Sequence, residues 1–240
     1  MDNLLSERQA KILYSLIQEH IKTAKPIASA VLVKKNKFGF SPATIRNEFA
    51  ELENMGFLEQ PYTSSGRVPT SKAYRYFVDN IVEGIQRERH RLDDLEAAIR
   101  SSIGSEHFNR HLIKSLADAS NNMALGWTDD DNDDFYFSGF KNLLREPELE
   151  GEGYYTKIGD ILDRIDDDIE KFVDNEEERG KDVKVFIGSE VPIRGAKDFS
   201  LIISSVPSRF GNLKIAIFGP QRMDYEKNLQ LIAGIKKLLE

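Results

Sequence analysis

The sequence predicts an α+β fold: an N-terminal winged helix-turn-helix followed by a C-terminal domain with a mainly antiparallel sheet. Two observations predict this class, and a third, the distribution of charge, indicates which part could contact nucleic acid. The first 80 residues contain three amphipathic helical patterns and a hairpin pattern. Beyond residue 180, three apolar runs are separated by proline and glycine, as is typical of adjacent strands. The excess of basic residues lies in the first part of the chain, and the acidic excess lies in the rest.

The third helical pattern begins at Ser41, whose hydroxyl suits a helix N-cap, and Pro42 fits the first helical position because its missing N–H is not needed there. An apolar stripe follows at helical spacing, formed by Ile45, Phe49 and Leu52. Thr44, Arg46 and Asn47 project from other faces. We therefore expect a helix with one buried face and one face that is free to contact a partner.

A short β-hairpin is predicted immediately after this helix. Gly56 is a plausible left-handed helix stop, and Phe57–Gln60 reads as a strand. Residues 61–66 form a turn rich in proline, serine and glycine, and Arg67–Thr70 returns as the second strand. A helix with a polar outer face followed by a basic hairpin is the outline of a winged helix-turn-helix, which binds duplex DNA.

Further helices complete the predicted first domain, residues 1–80. Ser6 and Gln9 have the spacing of a capping box and begin a helix that runs to about Thr23. Other helices are predicted over 28–35 and 71–82. The charged segment 81–104 reads as a connecting helix, and 105–240 as a second domain.

The predicted second domain combines helices with strands. Helical patterns cover 108–119, 158–172 and 225–239, the second as one long helix. Short strands are predicted at 135–137, 183–187, 199–206 and 213–218. A polar break is expected over 128–134.

Composition excludes several classes of function. The chain carries a net charge of −7, but residues 1–80 have 11 Lys and Arg against 8 Asp and Glu, whereas the remainder has 22 against 32. There is no cysteine, hence no disulfide and no thiolate site. Neither a leader pattern nor an apolar run of membrane-spanning length is visible, which predicts a cytoplasmic protein without membrane contact. No catalytic fingerprint is present, so we expect neither an enzyme nor a cofactor.

Several motifs together resemble one family. The segments SPATIRN (41–47), AELE (50–53) and GRVPT (66–70) are similar to the DNA-binding domain of HrcA, the heat-inducible transcription repressor of bacteria. The segments FYFSGFKNLL (135–144), VKVFIGSE (183–190) and RMDYE (222–226) resemble the GAF-like domain of that family. The chain departs from the family at Tyr62, Ser65 and Ala73, where His, Ala and Gly are usual. It also resembles a shortened member, because family members are generally longer and carry an inserted dimerising domain.

The resemblance implies a repressor of heat-shock (chaperone) genes that binds an inverted-repeat operator as a homodimer and is kept active by the GroE chaperonin. The second domain would then be a truncated GAF-like domain for regulation and dimerisation. The alternative is a regulator of other genes that responds to a small molecule or a partner through the GAF-like domain, a reading that rests on fold analogy.

Eight residues are predicted to contact DNA. On the third helix, Arg46 would bond a guanine edge and Asn47 an adenine edge in the major groove. The helix N-terminus at Ser41 would hold a phosphate, with Thr44 beside it. Four further residues would position the duplex without specifying its sequence: Ser64 and Arg67 on the wing, and Lys72 and Arg75 on the next helix.

Each of these features also has a simpler interpretation. Arg46 and Asn47 could be solvated helix residues, and Arg67 could pair with Glu59 across the hairpin. The tract Asp129–Asp134 lacks the glycine and glutamate of a calcium loop, so we expect a solvated loop and no metal site. His107 and His111 are four residues apart, but no carboxylate completes a known metal motif, so surface histidines are favoured.

Overall fold

A computed structural model describes residues 5–35, 39–82, 93–105, 107–128, 135–147, 153–169, 183–208 and 211–239. The chain separates into two compact units, Met1–Gly84 and Ile85–Glu240. Residues 83–92 of the predicted connecting helix lie outside the described residues, as does the acidic tract 129–134.

The first unit contains four helices and one hairpin in its described residues. The helices are α1 (Glu7–Thr23), α2 (Ser29–Lys35), α3 (Pro42–Asn54) and α4 (Ser71–Val82), and the hairpin strands β1 (Leu58–Glu59) and β2 (Val68–Pro69) lie between α3 and α4. The predicted capping box at the start of α1 is confirmed: the Gln9 N–H donates to the Ser6 hydroxyl at 3.2 Å, and the Ser6 N–H donates to the Gln9 side chain at 3.0 Å. The winged helix-turn-helix order is therefore present.

The hairpin pairs antiparallel, with Leu58 opposite Pro69 and Glu59 opposite Val68. A third chain segment joins it, because Ile27 and Arg67 exchange two backbone hydrogen bonds of 2.8 and 2.9 Å. This crossing requires a glycine at position 66: a Cβ atom there would lie 2.4 Å from the Ile27 carbonyl carbon. The base of the hairpin is thus fixed to the segment between α1 and α2.

The second unit is built on a five-stranded antiparallel sheet. Its strands are β3 (Met123–Thr128), β4 (Phe135–Ser138), β5 (Val183–Ile187), β6 (Phe199–Ser208) and β7 (Gly211–Pro220), in the order β4-β3-β7-β6-β5. The helices are α5 (Asp93–Ser102), α6 (Phe108–Ser120), α7 (Phe140–Leu143), α8 (Tyr154–Leu162) and α9 (Tyr225–Leu239). The prediction of a mainly antiparallel sheet is confirmed.

Strand β3 was not predicted, although it lies near the centre of the sheet. All six of its residues are buried, because helices cover both faces of the sheet. Gly126 faces Ile113 of α6, whereas Met123, Leu125 and Trp127 join the apolar cluster that includes α8. A strand buried on both faces lacks the alternation of polar and apolar residues that reveals a strand in a sequence.

The single helix predicted over 158–172 is broken. Helix α8 ends at Leu162, the chain turns at Asp163 and Arg164, and helical structure resumes over 165–169. Ile161 and Ile165 are both buried in the same cluster, so the turn keeps the apolar residues of both segments against the sheet. Phe172 lies outside the described residues.

An ion pair between Asp168 and Arg194 connects two segments of the second unit. Asp168 accepts hydrogen bonds from the backbone N–H of Arg194 at 3.1 Å and from its guanidinium, also at 3.1 Å. Burial of the Asp168 carboxyl opposes its ionisation, but the bonds from Arg194 outweigh that effect and hold the pKa of Asp168 below its usual value. The charged pair therefore joins segment 165–169 to the loop before β6.

None of the helices in the described residues is both long enough and apolar enough to cross a membrane. Those same residues contain no cluster of three metal-binding side chains. His107 precedes the first turn of α6 and His111 lies within it, the two being joined by a backbone hydrogen bond of 3.0 Å.

Candidate nucleic-acid interface

The exposed face of α3 begins at its N-terminal cap. The Ser41 hydroxyl accepts the Thr44 N–H at 3.1 Å and lies 3.0 Å from the Thr44 hydroxyl, so the predicted cap is confirmed. Arg46 and Asn47 follow within the first two turns, and both are exposed. Among the described residues, Arg46 makes only a marginal contact of 3.5 Å, to the Pro42 carbonyl, and the Asn47 side chain makes no hydrogen bond. Both side chains are available to a partner.

The opposite face of α3 is anchored to α1 by polar contacts as well as by its apolar stripe. Arg8 of α1 forms an ion pair with Glu48, whose side chain is only 5% exposed. The Gln9 amide donates to the Glu51 carboxylate at 2.8 Å. The apolar residues behind the helix are buried: Ile45, Phe49 and Leu52. Sequence reasoning missed Glu48, although its place inside the apolar stripe, three residues after Ile45, was a usable signal.

The Arg67 side chain pairs with a residue of α3 and not with one of the opposite hairpin strand. Its guanidinium donates to the Glu53 carboxylate at 3.0 and 2.9 Å, and only 19% of its side chain is exposed. The suggested pairing of Arg67 with Glu59 is therefore wrong, because its partner is Glu53. The register places Glu59 opposite Val68, and neighbouring residues of a strand point to opposite faces, so Arg67 points away from Glu59.

Lys72 and Arg75 also have partners within the first unit. The Lys72 ammonium donates to the Met55 carbonyl at the end of α3 at 2.7 Å and lies 4.6 Å from the centre of the Phe57 ring. Arg75 is 3.5 Å from Asp79 on the same helix. Lys72 thus satisfies a carbonyl at the end of α3, where the helix dipole also favours a cation.

The tip of the wing is a compact turn. The Ser65 N–H donates to the Tyr62 carbonyl at 3.0 Å, and the Gln60 amide donates to the Ser65 carbonyl at 3.2 Å. Ser64 adopts a left-handed backbone conformation, with φ of 66°. Tyr62, Thr63 and Ser64 are exposed, and 65% of Tyr62 is accessible to solvent.

The structure thus brings Ser41, Thr44, Arg46 and Asn47 together at the start of α3 and places Ser64 at the wing tip, whereas Arg67 and Lys72 lie between the wing base and the end of α3. Capped helix, exposed polar face and hairpin define a winged helix-turn-helix protein, a class that binds duplex DNA.

Comparison with known proteins identifies the family. Residues 4–81 match the family described as "Winged helix-turn-helix transcription repressor, HrcA DNA-binding", and residues 81–229 match the "HrcA protein C terminal domain". The chain belongs to the HrcA family, a family of transcription repressors and not of enzymes.

Individual relatives match part of the chain. The heat-inducible transcription repressor HrcA of Carboxydothermus hydrogenoformans is 44% identical over 102 residues, which are 42% of this chain and 30% of that protein. The HrcA of Natranaerobius thermophilus is 55% identical over 78 residues, which are 32% of this chain and 23% of that protein. The matched stretches thus span less than a third of the length of these relatives.

One solved structure has the same fold along almost the whole chain. A crystal structure described as that of a "hypothetical protein" superposes with a TM-score of 0.79, covering 98% of this chain and 97% of the other at 18% identity. At that level of identity the likeness concerns the fold alone.

Proposed function

We propose that this chain is a sequence-specific transcriptional repressor of heat-shock (chaperone) genes and that it binds an inverted-repeat operator as a homodimer. One observation carries the proposal: Arg46 and Asn47 are exposed and available on a helix whose other face is anchored by buried side chains. Membership of the HrcA family supplies the class of gene. A DNA partner also implies action in the bacterial cytoplasm, where the chromosome lies.

In the proposed complex α3 enters the major groove. Arg46 donates two hydrogen bonds to a guanine edge, and Asn47 donates to and accepts from an adenine edge; each such pair contributes about 1–3 kcal/mol of discrimination against a wrong base. The backbone N–H groups near Ser41 hold a phosphate at the positive end of the helix. Arg67 and Lys72 hold the wing in a fixed position relative to α3. Arg75 and Ser64 face the sugar-phosphate backbone of the DNA.

The proposal includes regulation by the GroE chaperonin, and its support is the family resemblance alone. The alternative, a regulator of other genes that responds to an effector in the GAF-like unit, has less support. The five-stranded sheet is covered on both faces by buried apolar side chains, which accounts for its packing without a ligand.

The test is the loss of base discrimination in Arg46→Ala. We expect operator binding to weaken by about tenfold or more, while binding to a scrambled duplex changes much less, because a base contact is lost. Lys11→Ala is the matched control, since it removes one exposed positive charge from α1. Equal losses on operator and scrambled DNA would contradict readout of bases by Arg46.

A further inference from the structure

The wing tip differs from the rest of the proposed interface in having no charged side chain. Residues 61–66 are Pro, Tyr, Thr, Ser, Ser and Gly. Four of them are exposed, and three of these four, Tyr62, Thr63 and Ser64, carry a hydroxyl group. A hydroxyl can donate a hydrogen bond to a phosphate oxygen without neutralising its charge.

The two nearest cations in sequence are already engaged. Arg67 donates to Glu53 through two guanidinium nitrogens, and Lys72 donates to the Met55 carbonyl. Moving either cation to a phosphate would leave a polar group of α3 without its hydrogen bond, which costs free energy. These two residues are positioning residues: they hold the wing against the end of α3.

Tyr62 is the tip residue with the longest reach. The residue is 65% exposed, and its side chain makes no hydrogen bond within the described residues. Its backbone is held at both polar groups, because the carbonyl accepts the Ser65 N–H at 3.0 Å and the Tyr62 N–H lies 3.4 Å from the Ser65 hydroxyl. A fixed backbone and a rigid ring place the phenol hydroxyl with little loss of conformational entropy on binding.

The wing also flanks the helix that would enter the major groove. Strand β1 begins at Leu58, four residues after α3 ends at Asn54, and Glu53 joins the end of that helix to Arg67 at the wing base. A hairpin beside a helix in the groove lies over the neighbouring sugar-phosphate backbone.

We infer that the wing makes a neutral contact with DNA, in which the Tyr62 hydroxyl donates a hydrogen bond to a backbone phosphate. The inference rests on the proposed DNA binding and adds a contact residue to it. The contact strengthens binding to any sequence and releases no counterion, because it neutralises no phosphate charge.

Titrations of the full chain against operator and scrambled duplexes, each at several salt concentrations, test the inference. Tyr62→Phe removes only the hydroxyl. We expect it to weaken binding to both duplexes by about fivefold, with the slope of log K against log salt unchanged. Tyr62→Lys places a cation at the same point, and we expect its slope to steepen by about 0.9, the value for one additional phosphate neutralised.

The outcomes separate the inference from the proposed function. Full affinity in Tyr62→Phe overturns the hydroxyl contact, and so does an unchanged slope in Tyr62→Lys, which would show that no phosphate lies near the tip. A loss confined to the operator would indicate base readout and also overturn it. If the wild-type chain binds both duplexes equally while both variants behave as expected, the wing contact stands and sequence-specific repression fails. If the wild-type chain binds no duplex, both fall.

Discussion

At the scale of single residues, two arginines of the first unit differ in whether they have a partner within the protein. Arg46 is exposed on α3 and has only a marginal contact within the described residues, whereas Arg67 is mostly buried in an ion pair with Glu53. Both are arginines in motifs that resemble the same family. Of these two, Arg46 is the one available to a partner without first losing an ion pair within the described residues.

Gly66 is a residue whose identity is set by space and not by its backbone angles. Gly66→Ala would place a Cβ atom 2.4 Å from the Ile27 carbonyl carbon, so we expect a loss of about 1–3 kcal/mol from crowding. The two hydrogen bonds between Ile27 and Arg67 should open, and amide hydrogen exchange of these two residues should lose its protection.

Gly56→Ala is the matched control for this prediction. Gly56 has φ of 77°, but a Cβ atom there meets nothing within 4 Å, so the cost of about 1–2 kcal/mol comes from backbone strain alone. Protection of the Ile27 and Arg67 amides should persist in this variant. If Gly66→Ala also left these amides protected, the close approach of the two segments would be wrong.

At the scale of elements, α3 depends on α1 for its position. Glu48 lies within the apolar stripe of α3 and is neutralised by Arg8, and one of its carboxylate oxygens has no hydrogen-bond partner in the described structure. A buried carboxylate is costly unless a cation accompanies it. The pair thus links the orientation of α3 to that of α1.

Arg8→Ala should destabilise the first unit by about 1–3 kcal/mol, because it leaves the Glu48 carboxylate buried without a cation. The second variant, Arg8→Ala with Glu48→Gln, should recover part of this loss, since the amide carries no charge. Chemical denaturation monitored by circular dichroism measures both.

Lys11→Ala again provides the control, because Lys11 pairs with Glu7 on the surface of α1, where an ion pair contributes little. Equal destabilisation by Arg8→Ala and Lys11→Ala would show that the pair with Glu48 does not hold α3 in place.

At the scale of the whole molecule, the two compact units correspond closely to the two ranges, 4–81 and 81–229, that match the DNA-binding and C-terminal domains of the HrcA family. The first carries the groups proposed to contact DNA, and the second contains an antiparallel sheet covered on both faces. An inverted-repeat operator presents the same bases twice about a two-fold axis, which a symmetric dimer matches.

We therefore expect two chains on each operator. Analytical ultracentrifugation of the complex should give a mass of two protomers per duplex, and footprinting should show two protected half-sites whose centres are about 10 base pairs or a multiple apart. A duplex with a single half-site is the control and should bind much more weakly. One chain per full operator would contradict the dimer.

Much of the fold followed from local patterns. The sequence predicted the cap at Ser41, the helix stop at Gly56, the hairpin and strands β4 to β7, because these features depend on neighbours within a few positions. Strand β3 and the turn at Asp163 were missed, since burial on both faces removes the alternation that marks a strand and the turn depends on packing against the sheet.

The sequence by itself determined the α+β class, the winged helix-turn-helix and the exposed polar face of α3, because helix periodicity and turn residues act locally. Only the tertiary structure decided which cations remain available: it paired Arg67 with Glu53, placed Lys72 at the end of α3 and buried Glu48 against Arg8. These pairings join residues 14, 17 and 40 positions apart, respectively. Their geometry depends on how helices and hairpin pack, which no local pattern encodes.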